Sequence, residues 1–303
     1  HPTADLNCSG MVHHREHTSP SGHVRYHRTH WWKEATLMAG FYLVYSWARN
    51  QFGSAHIGEH SVPVAAFRNA TRVIRLERAI GLYHEESVQE WFLPYKWFVQ
   101  FLNTYYGTMH FLITIAVFVI LYRRRPDVFP QWRNTLAITT ALAIVGFSMF
   151  PLMPPRLLDE PCPPKAYGGA CIESSLRSNP HDGEPSFGFV DTLKEYGGPW
   201  SFDSGTMEKI SNQFAAMPSL HIGWSSWCAF ALWPIARRRW VRAAFLLYPA
   251  FTLLCIVVTA NHYWIDGVGG QLALGLGFLL GTAVHRLNQT RLDRKLERAH
   301  ALA

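Results

Sequence analysis

Long apolar runs alternate with polar stretches rich in Pro and Gly along this chain, and the runs set the first expectations. A helix that crosses a bilayer needs about 20 mostly apolar residues, with a usual range of ~17–25. Six segments approach that pattern, roughly 31–48, 106–123, 132–152, 219–236, 240–260 and 264–285. The second, third and fifth are clear runs. The first is interrupted by Lys33 and Glu34, and the fourth by His221 and serines. The sixth carries Gly267, Gly269, Gly270, Gly275, Gly277 and Gly281, small residues that allow close helix packing. The pattern predicts an all-α fold, a polytopic membrane helical bundle of about six transmembrane helices with an extracytoplasmic loop region. Its membrane domain covers 31–285. Residues 1–30, rich in His, Arg and Ser with no apolar stretch and no signal peptide, read as a disordered cytoplasmic tail. Residues 286–303 read as a basic cytoplasmic tail.

Charge sets the orientation. Arg123, Arg124 and Arg125 follow the second run, and Arg237, Arg238 and Arg239 follow the fourth. Arg286, Arg291, Arg294, Lys295 and Arg298 follow the sixth. Cytoplasmic loops are enriched in Lys and Arg, and alternating spans place all three clusters on one side. Arg15, Arg25, Arg28 and Lys33, before the first span, fall on that side too. Both termini are therefore expected inside, and 49–105 and 153–218 outside. Within the first outer segment, 66–83 has helical character. Residues 91–106 are dense in aromatics and suit the water–lipid interface; the other reading is a seventh span paired with a re-entrant loop. The second outer segment, rich in Pro, Gly and Asp, reads as an ordered loop. The expected location is a bacterial plasma membrane.

Composition agrees with a membrane protein. Hydrophobic residues make up 49% and charged residues 16%, against about 25% charge in a typical soluble chain. Mean hydropathy is −0.02 only because polar loops dilute the apolar runs. The formal charge of +7 is gathered next to those runs, as topology signals or contacts with anionic headgroups would require, and not on one soluble face that would fit nucleic acid. Cys228 and Cys255 sit in apolar runs and read as core. Cys162 and Cys171 share the second outer loop, and an external location makes a disulfide between them plausible.

Ionisable groups at membrane depth are costly and functional by default. Three polar sites fall at the outer ends of the expected spans. The first is Met217-Pro218-Ser219-Leu220-His221. Pro suits a first helical turn, Ser219 can cap or donate, and the free N–H groups of a helix start attract anions. The plain reading is a capping Ser beside a packed His. The second is Asn261-His262-Tyr263-Trp264-Ile265-Asp266, where His262 and Asp266 stand i, i+4 on one helical face. Asp can fix the imidazole tautomer and raise the basicity of the other nitrogen, which makes His262 a nucleophile or base. The plain reading is a polar pair at the interface. The third is Pro154-Pro155-Arg156, whose guanidinium fork matches a phosphate or simply snorkels.

In order and spacing these three sites resemble the type 2 phosphatidic-acid phosphatase superfamily, whose signatures are Lys…Arg-Pro, Pro-Ser-Gly-His and Arg…His-x3-Asp. Leu220 stands in place of the Gly and Leu157 in place of the Pro, while Met149 and Ile256 replace the Lys and Arg. The PPR, PSLH and HYxxD forms are similar to the inositol phosphorylceramide synthase, or aureobasidin-resistance, branch. The segment Leu76-Glu77-Arg78-Ala79-Ile80-Gly81 with Glu86 and Gln89, then Asn103-Thr104-Tyr105-Tyr106, carries the same likeness, which covers about 70–285.

The resemblance implies a membrane phosphotransferase or phosphatase with a phosphohistidine intermediate and no cofactor. His262 would attack phosphorus, Asp266 orient it and His221 protonate the leaving oxygen. Arg156 and the Pro218-Ser219 turn would hold the phosphate oxygens. Lys209, Arg177 or Lys165 would replace the missing cations. Partners are membrane lipids, as phospholipid or lipid-phosphate substrate, and not nucleic acid. The branch favours moving a phospho-head group such as phosphoinositol to a lipid alcohol; water as acceptor gives a phosphohydrolase. Two further readings stand beside this one. His221, His262 and Asp266 suit a facial metal set, against which the resemblance argues. A non-enzymatic lipid transporter is the other, though broken spans in matching halves, its usual mark, are missing.

The charge pattern makes a testable prediction about topology. In single-Cys variants, positions within 174–186 should label from the extracytoplasmic side. Labelling only from the cytoplasmic side would overturn the orientation and move the candidate site with it.

Overall fold

Each apolar run of the sequence carries a helix in the computed structural model, which describes residues 30–51, 61–159, 187–197 and 214–301. In chain order the helices are α1 (Trp31–Gln51), α2 (Ser61–Ala79), α3 (Glu85–Phe92), α4 (Lys96–Arg124), α5 (Phe129–Met149), α6 (Thr192–Glu195), α7 (Leu220–Leu232), α8 (Arg239–Val258) and α9 (Trp264–Ala301). Single 3₁₀ turns at Pro155–Leu157 and Trp233–Ile235 follow α5 and α7. The described residues contain no strand, only an isolated parallel bridge between Leu152 and Ala215. Residues 1–29 of the expected tail, Cys162, Cys171, Lys165, Arg177 and Lys209 lie outside the described residues.

Among the described residues three helices are long and apolar enough to cross a membrane: α4, α8 and the Trp264–Arg291 part of α9. Their outer faces are apolar. Leu112, Ile115 and Val119 on α4, Leu247 on α8, and Leu272, Leu279 and Leu287 on α9 are all exposed. Exposed apolar faces this extensive are a liability in water and the normal state in lipid. The chain is an integral membrane protein with an all-α bundle.

Two expected boundaries shift. The aromatic stretch 91–106 is not a separate interfacial element, because α4 begins at Lys96 and runs 29 residues. Phe98, Phe101 and Tyr105 follow one another along it with ring centroids 6.2 Å apart, a helical spacing. Nor does the basic segment after 285 leave the helix, since α9 continues to Ala301. The charge that interrupts the first apolar run has a partner. Arg133 Nη1 of α5 donates to both carboxylate oxygens of the buried Glu34, at 2.7 and 2.6 Å, and ties α1 to α5.

Small residues decide the central packing. Thr135, Thr139 and Thr140 of α5 each return their hydroxyl to the carbonyl four residues back, at 3.0, 2.8 and 2.9 Å. Their polar atoms are satisfied within the helix, and the surface left over is shallow. On that surface α9 lays Gly277 and Gly281. Trp224 and Trp227 of α7 donate their indole N–H groups to Thr140 Oγ1 at 3.0 Å and to the Trp132 carbonyl at 2.9 Å. A second core lies on the candidate-site side. There α2 buries Ala66, Phe67, Ala70, Val73 and Ile74, at helical spacing, against Leu152, Met153, Phe187, Phe214 and Tyr263.

The α5–α9 contact predicts opposite effects for two glycines on one helix. A Cβ on Gly281 would stand 2.8 Å from Thr135 N and 3.0 Å from its Cα, backbone atoms that cannot rotate away. Gly281→Ala should destabilise by about 1–3 kcal/mol, the usual cost of overpacking. A Cβ on Gly275 meets nothing within 4 Å, so Gly275→Ala should be neutral or slightly stabilising. Melting temperatures in detergent measure both, and equal values would contradict the packing.

Candidate active site

The site is built where the starts of α7 and α9 meet. After α8, Thr259 closes the helix and Ala260 turns the chain with φ of 50°. The N–H groups of Asn261 and His262 both donate to the Ile256 carbonyl, at 3.0 and 3.2 Å, so the turn folds back on its own helix. The next helix opens two residues later, and Asp266 lies in its first turn. Asp266 Oδ2 reaches back to accept the Tyr263 N–H at 3.0 Å, as an acidic residue does in a capping box. The same oxygen pairs with His262 Nδ1 at 3.2 Å. Its second oxygen, Oδ1, is buried with no hydrogen-bond partner among the described residues.

The other ring nitrogen of His262, Nε2, lies 3.4 Å from Ser219 Oγ. Ser219 is the cap residue of α7, yet its hydroxyl makes no cap hydrogen bond and faces the imidazole instead. Its N–H donates to the Asp266 carbonyl at 3.0 Å, which joins the two helix starts directly. A Cβ on Gly270 would collide with the Ser219 carbonyl, so that close approach requires glycine. Pro218 packs over Gly269 and Gly146, between α9 and α5. His262 is almost wholly buried, and burial pushes its imidazole down to about 3; a backbone hydrogen bond at Ala216 opposes this, and the Arg156 cation adds to it.

His221, half-buried as the second residue of α7, packs edge-on to His262 with ring centroids 5.7 Å apart. It also stacks on Tyr106 at 4.3 Å and meets His110 at 4.5 Å, both on α4. Arg156 sits in the 3₁₀ turn after α5, where its N–H donates to the Ala260 carbonyl at 2.9 Å. Its Nε donates to Asn261 Oδ1 at 3.0 Å and its Nη1 to Asp191 Oδ2 at 2.6 Å. All six residues expected from the sequence, Arg156, Pro218, Ser219, His221, His262 and Asp266, therefore stand together or share partners. The side chains of Met149 and Ile256, at the positions of the missing cations, bring no charge to it: Met149 is 79% exposed and Ile256 is buried. Among the described residues no group of three or more His, Cys, Asp or Glu side chains is placed to hold a metal ion.

Sequence reasoning missed Asn261 and Asp191, the two side chains that hold Arg156. Asn261 adjoins His262, so its position was a usable signal. Asp191 carried none, because it lies 35 residues after Arg156 with no motif linking the two. It is fixed there as the cap of α6, its Oδ1 accepting the N–H groups of Leu193 and Lys194 at 3.0 and 3.3 Å. Gln89 of α3 and Asn103 of α4 hold the same segment through Val190 and Thr192. Glu77 and Glu85, which accept the Ile265 and Trp264 N–H groups at 2.9 and 3.2 Å, were also missed as parts of the site.

The chain is 25% identical over 167 residues to the inositol phosphorylceramide synthase catalytic subunit aur1 of Schizosaccharomyces pombe, a match covering 55% of this chain and 36% of that protein. It thus spans little more than a third of that relative's length. No solved structure matches it. The sequence profile of the PAP2 superfamily matches residues 71–280, from α2 to the middle of α9 and across every residue of the site. A match of that extent over this chain means that it belongs to the PAP2 superfamily.

Proposed function

We propose that this protein is a membrane phosphotransferase acting on lipid phosphate esters through a phosphohistidine at His262. The observation that carries the reading is the His262 imidazole, held at Nδ1 by Asp266 and turned at Nε2 toward Ser219 and the start of α7. With Asp266 as carboxylate, Nδ1 carries the hydrogen and Nε2 keeps its lone pair. Burial keeps the ring neutral, which a nucleophile requires. The N–H groups at the start of α7 offer a site for phosphate oxygens, and Arg156 adds a fixed cation.

In the first half-reaction His262 Nε2 forms a bond to phosphorus as the bond to the leaving oxygen breaks. His221 gives that oxygen its proton. In the second, an acceptor hydroxyl gives its proton to His221 and attacks phosphorus, and the N–P bond breaks. Positioning and charge supply most of the catalysis in such transfers. The relative's name is that of an inositol phosphorylceramide synthase, which favours a phospho-head group such as phosphoinositol as the group moved and a lipid alcohol as acceptor. Water in that role gives a phosphohydrolase by the same steps. The arginine clusters favour an extracytoplasmic site.

Purified protein incubated with a panel of phospholipids and lipid phosphates, with new lipids and free phosphate tracked together, tests the reading. His262→Ala should abolish turnover. Asp266→Asn should lower the rate severely, since the analogous change costs about 10⁴-fold in a serine hydrolase. His221→Ala should lose about 10²–10⁴-fold on poor leaving groups and far less on activated ones. Arg156→Lys should be damaging as well, because a point charge cannot replace a fork. A folded His262→Ala variant with wild-type single-turnover rates would end the phosphohistidine reading.

A pH experiment tests the neutral imidazole separately. The folded His262 titrates at about 3 against an ordinary 6.5, so the unfolded chain binds the extra proton in that interval. The contribution of His262 to stability is then complete above about 6.5 and is lost as pH falls toward 3. His262→Asn should flatten the acid side of the melting-temperature profile. An acid limb identical to wild type would contradict the assignment.

A further inference from the structure

Two buried acids beneath the His262 turn have no part in the proposed chemistry. Glu77 lies on the inner face of α2 and Glu85 opens α3, and both are fully buried. Each gives one oxygen to the start of α9, Glu77 Oε1 accepting the Ile265 N–H and Glu85 Oε1 the Trp264 N–H. Asp266 Oδ2 takes the N–H before these, from Tyr263. Three successive donors thus end on three acids, from α2, α3 and α9 itself. Glu85 Oε2 accepts the His84 N–H at 3.0 Å. Glu77 Oε2 is buried and meets no donor among the described residues, although the Glu85 side chain is its neighbour at hydrogen-bonding range. Two carboxylates offer only acceptors, so an ionised pair would repel and leave that oxygen unsatisfied. A single proton removes both difficulties, because a carboxyl O–H can donate to a carboxylate.

We propose that Glu77 and Glu85 hold one proton between them, and that this acid–carboxylate pair is the positioning element that fixes the start of α9 and, through it, the His262–Asp266 pair. The catalytic consequence rests on the phosphotransfer reading; the shared proton does not. The titratable groups around Glu77 are Glu85 on α3, Asp266 and Tyr263 at the start of α9, Tyr83 between α2 and α3, and Arg78 on its own helix. Arg78 lies over the Tyr83 ring, 5.0 Å from its centre. Burial and the Glu85 neighbour push the Glu77 carboxyl up to about 10. The same surroundings raise the Tyr83 and Tyr263 hydroxyls, so both stay neutral. The sign follows. The folded protein keeps a proton that the unfolded chain releases above 4.5, so this contribution to stability declines as pH rises from 4.5 toward about 10.

The test uses the intact protein in detergent with Glu77→Gln and Glu77→Ala. Glutamine keeps the acceptor for Ile265 and donates through its amide without titrating. Melting temperature, followed from about pH 6 to about pH 9.5, should fall more steeply for wild type than for Glu77→Gln. At neutral pH the single-turnover rate of Glu77→Ala should lie about 10–100-fold below that of Glu77→Gln, the scale seen for outer-shell groups that orient metal-bound side chains. Equal melting slopes for wild type and Glu77→Gln would overturn the shared proton, and that arm decides even where the alanine variant does not fold. A glutamine variant no faster than a well-folded alanine variant would overturn the positioning role. Wild-type protein inactive on every lipid would end the phosphotransfer reading alone, since the melting slopes need no substrate.

Discussion

The start of α9 is buried, and a buried helix start leaves N–H groups that must find acceptors within the protein. Here the acceptors are acids brought from separate elements, with Asp266, Glu85 and Glu77 serving Tyr263, Trp264 and Ile265 in turn. Because Glu77 and Glu85 belong to α2 and α3, satisfying one helix end also anchors the second core to the membrane bundle. The Ser219 N–H on the Asp266 carbonyl adds α7 to the same knot. The turn carrying His262 is thereby held from several directions. Removing one acid would leave a buried donor without a partner, which costs more than the bond itself contributed.

A second network fixes the cation. The Arg156 guanidinium lies between Asn261 and Asp191, with 2.6 Å to the latter. A buried ion pair is weak evidence for stability, since desolvation offsets much of the attraction. Its geometry is informative in another way. Asp191 is held by the cap of α6, and the 187–197 segment by the side-chain amides of Gln89 and Asn103, so the guanidinium is aimed by a chain of hydrogen bonds reaching α3 and α4. With Met149 and Ile256 where the sequence resemblance led one to expect cations, the proposed phosphate site would depend the more on a well-oriented Arg156.

The apolar runs made the bundle legible, because hydrophobic length is a local property of the chain. The His262–Asp266 pair was legible for the same reason: its spacing of four residues is set by the helix. What stayed hidden were contacts between distant positions. Glu77 reaches Ile265 across 188 residues and Glu85 reaches Trp264 across 179. No local pattern marks a carboxylate as the acceptor for a remote helix. The aromatic stretch before 106 misled for a different reason. Tryptophan and tyrosine density signals an interface without saying whether the backbone there is already part of a spanning helix, as it is in α4.

The depth of the site follows from packing and not from charge. α7 has 13 residues, none of them Lys, Arg, Asp or Glu, and residues 222–229 are all buried. It is surrounded by α4, α5, α8 and α9. Such a helix has no interfacial anchor of its own and slides unless its neighbours stop it. Two indole N–H bonds to α5 and the glycine contact at Gly270 supply the stops. They set the height at which Ser219 meets His262, and therefore where the start of α7 presents its N–H groups. In this fold the glycines and threonines of the membrane core are what align the polar residues at its end.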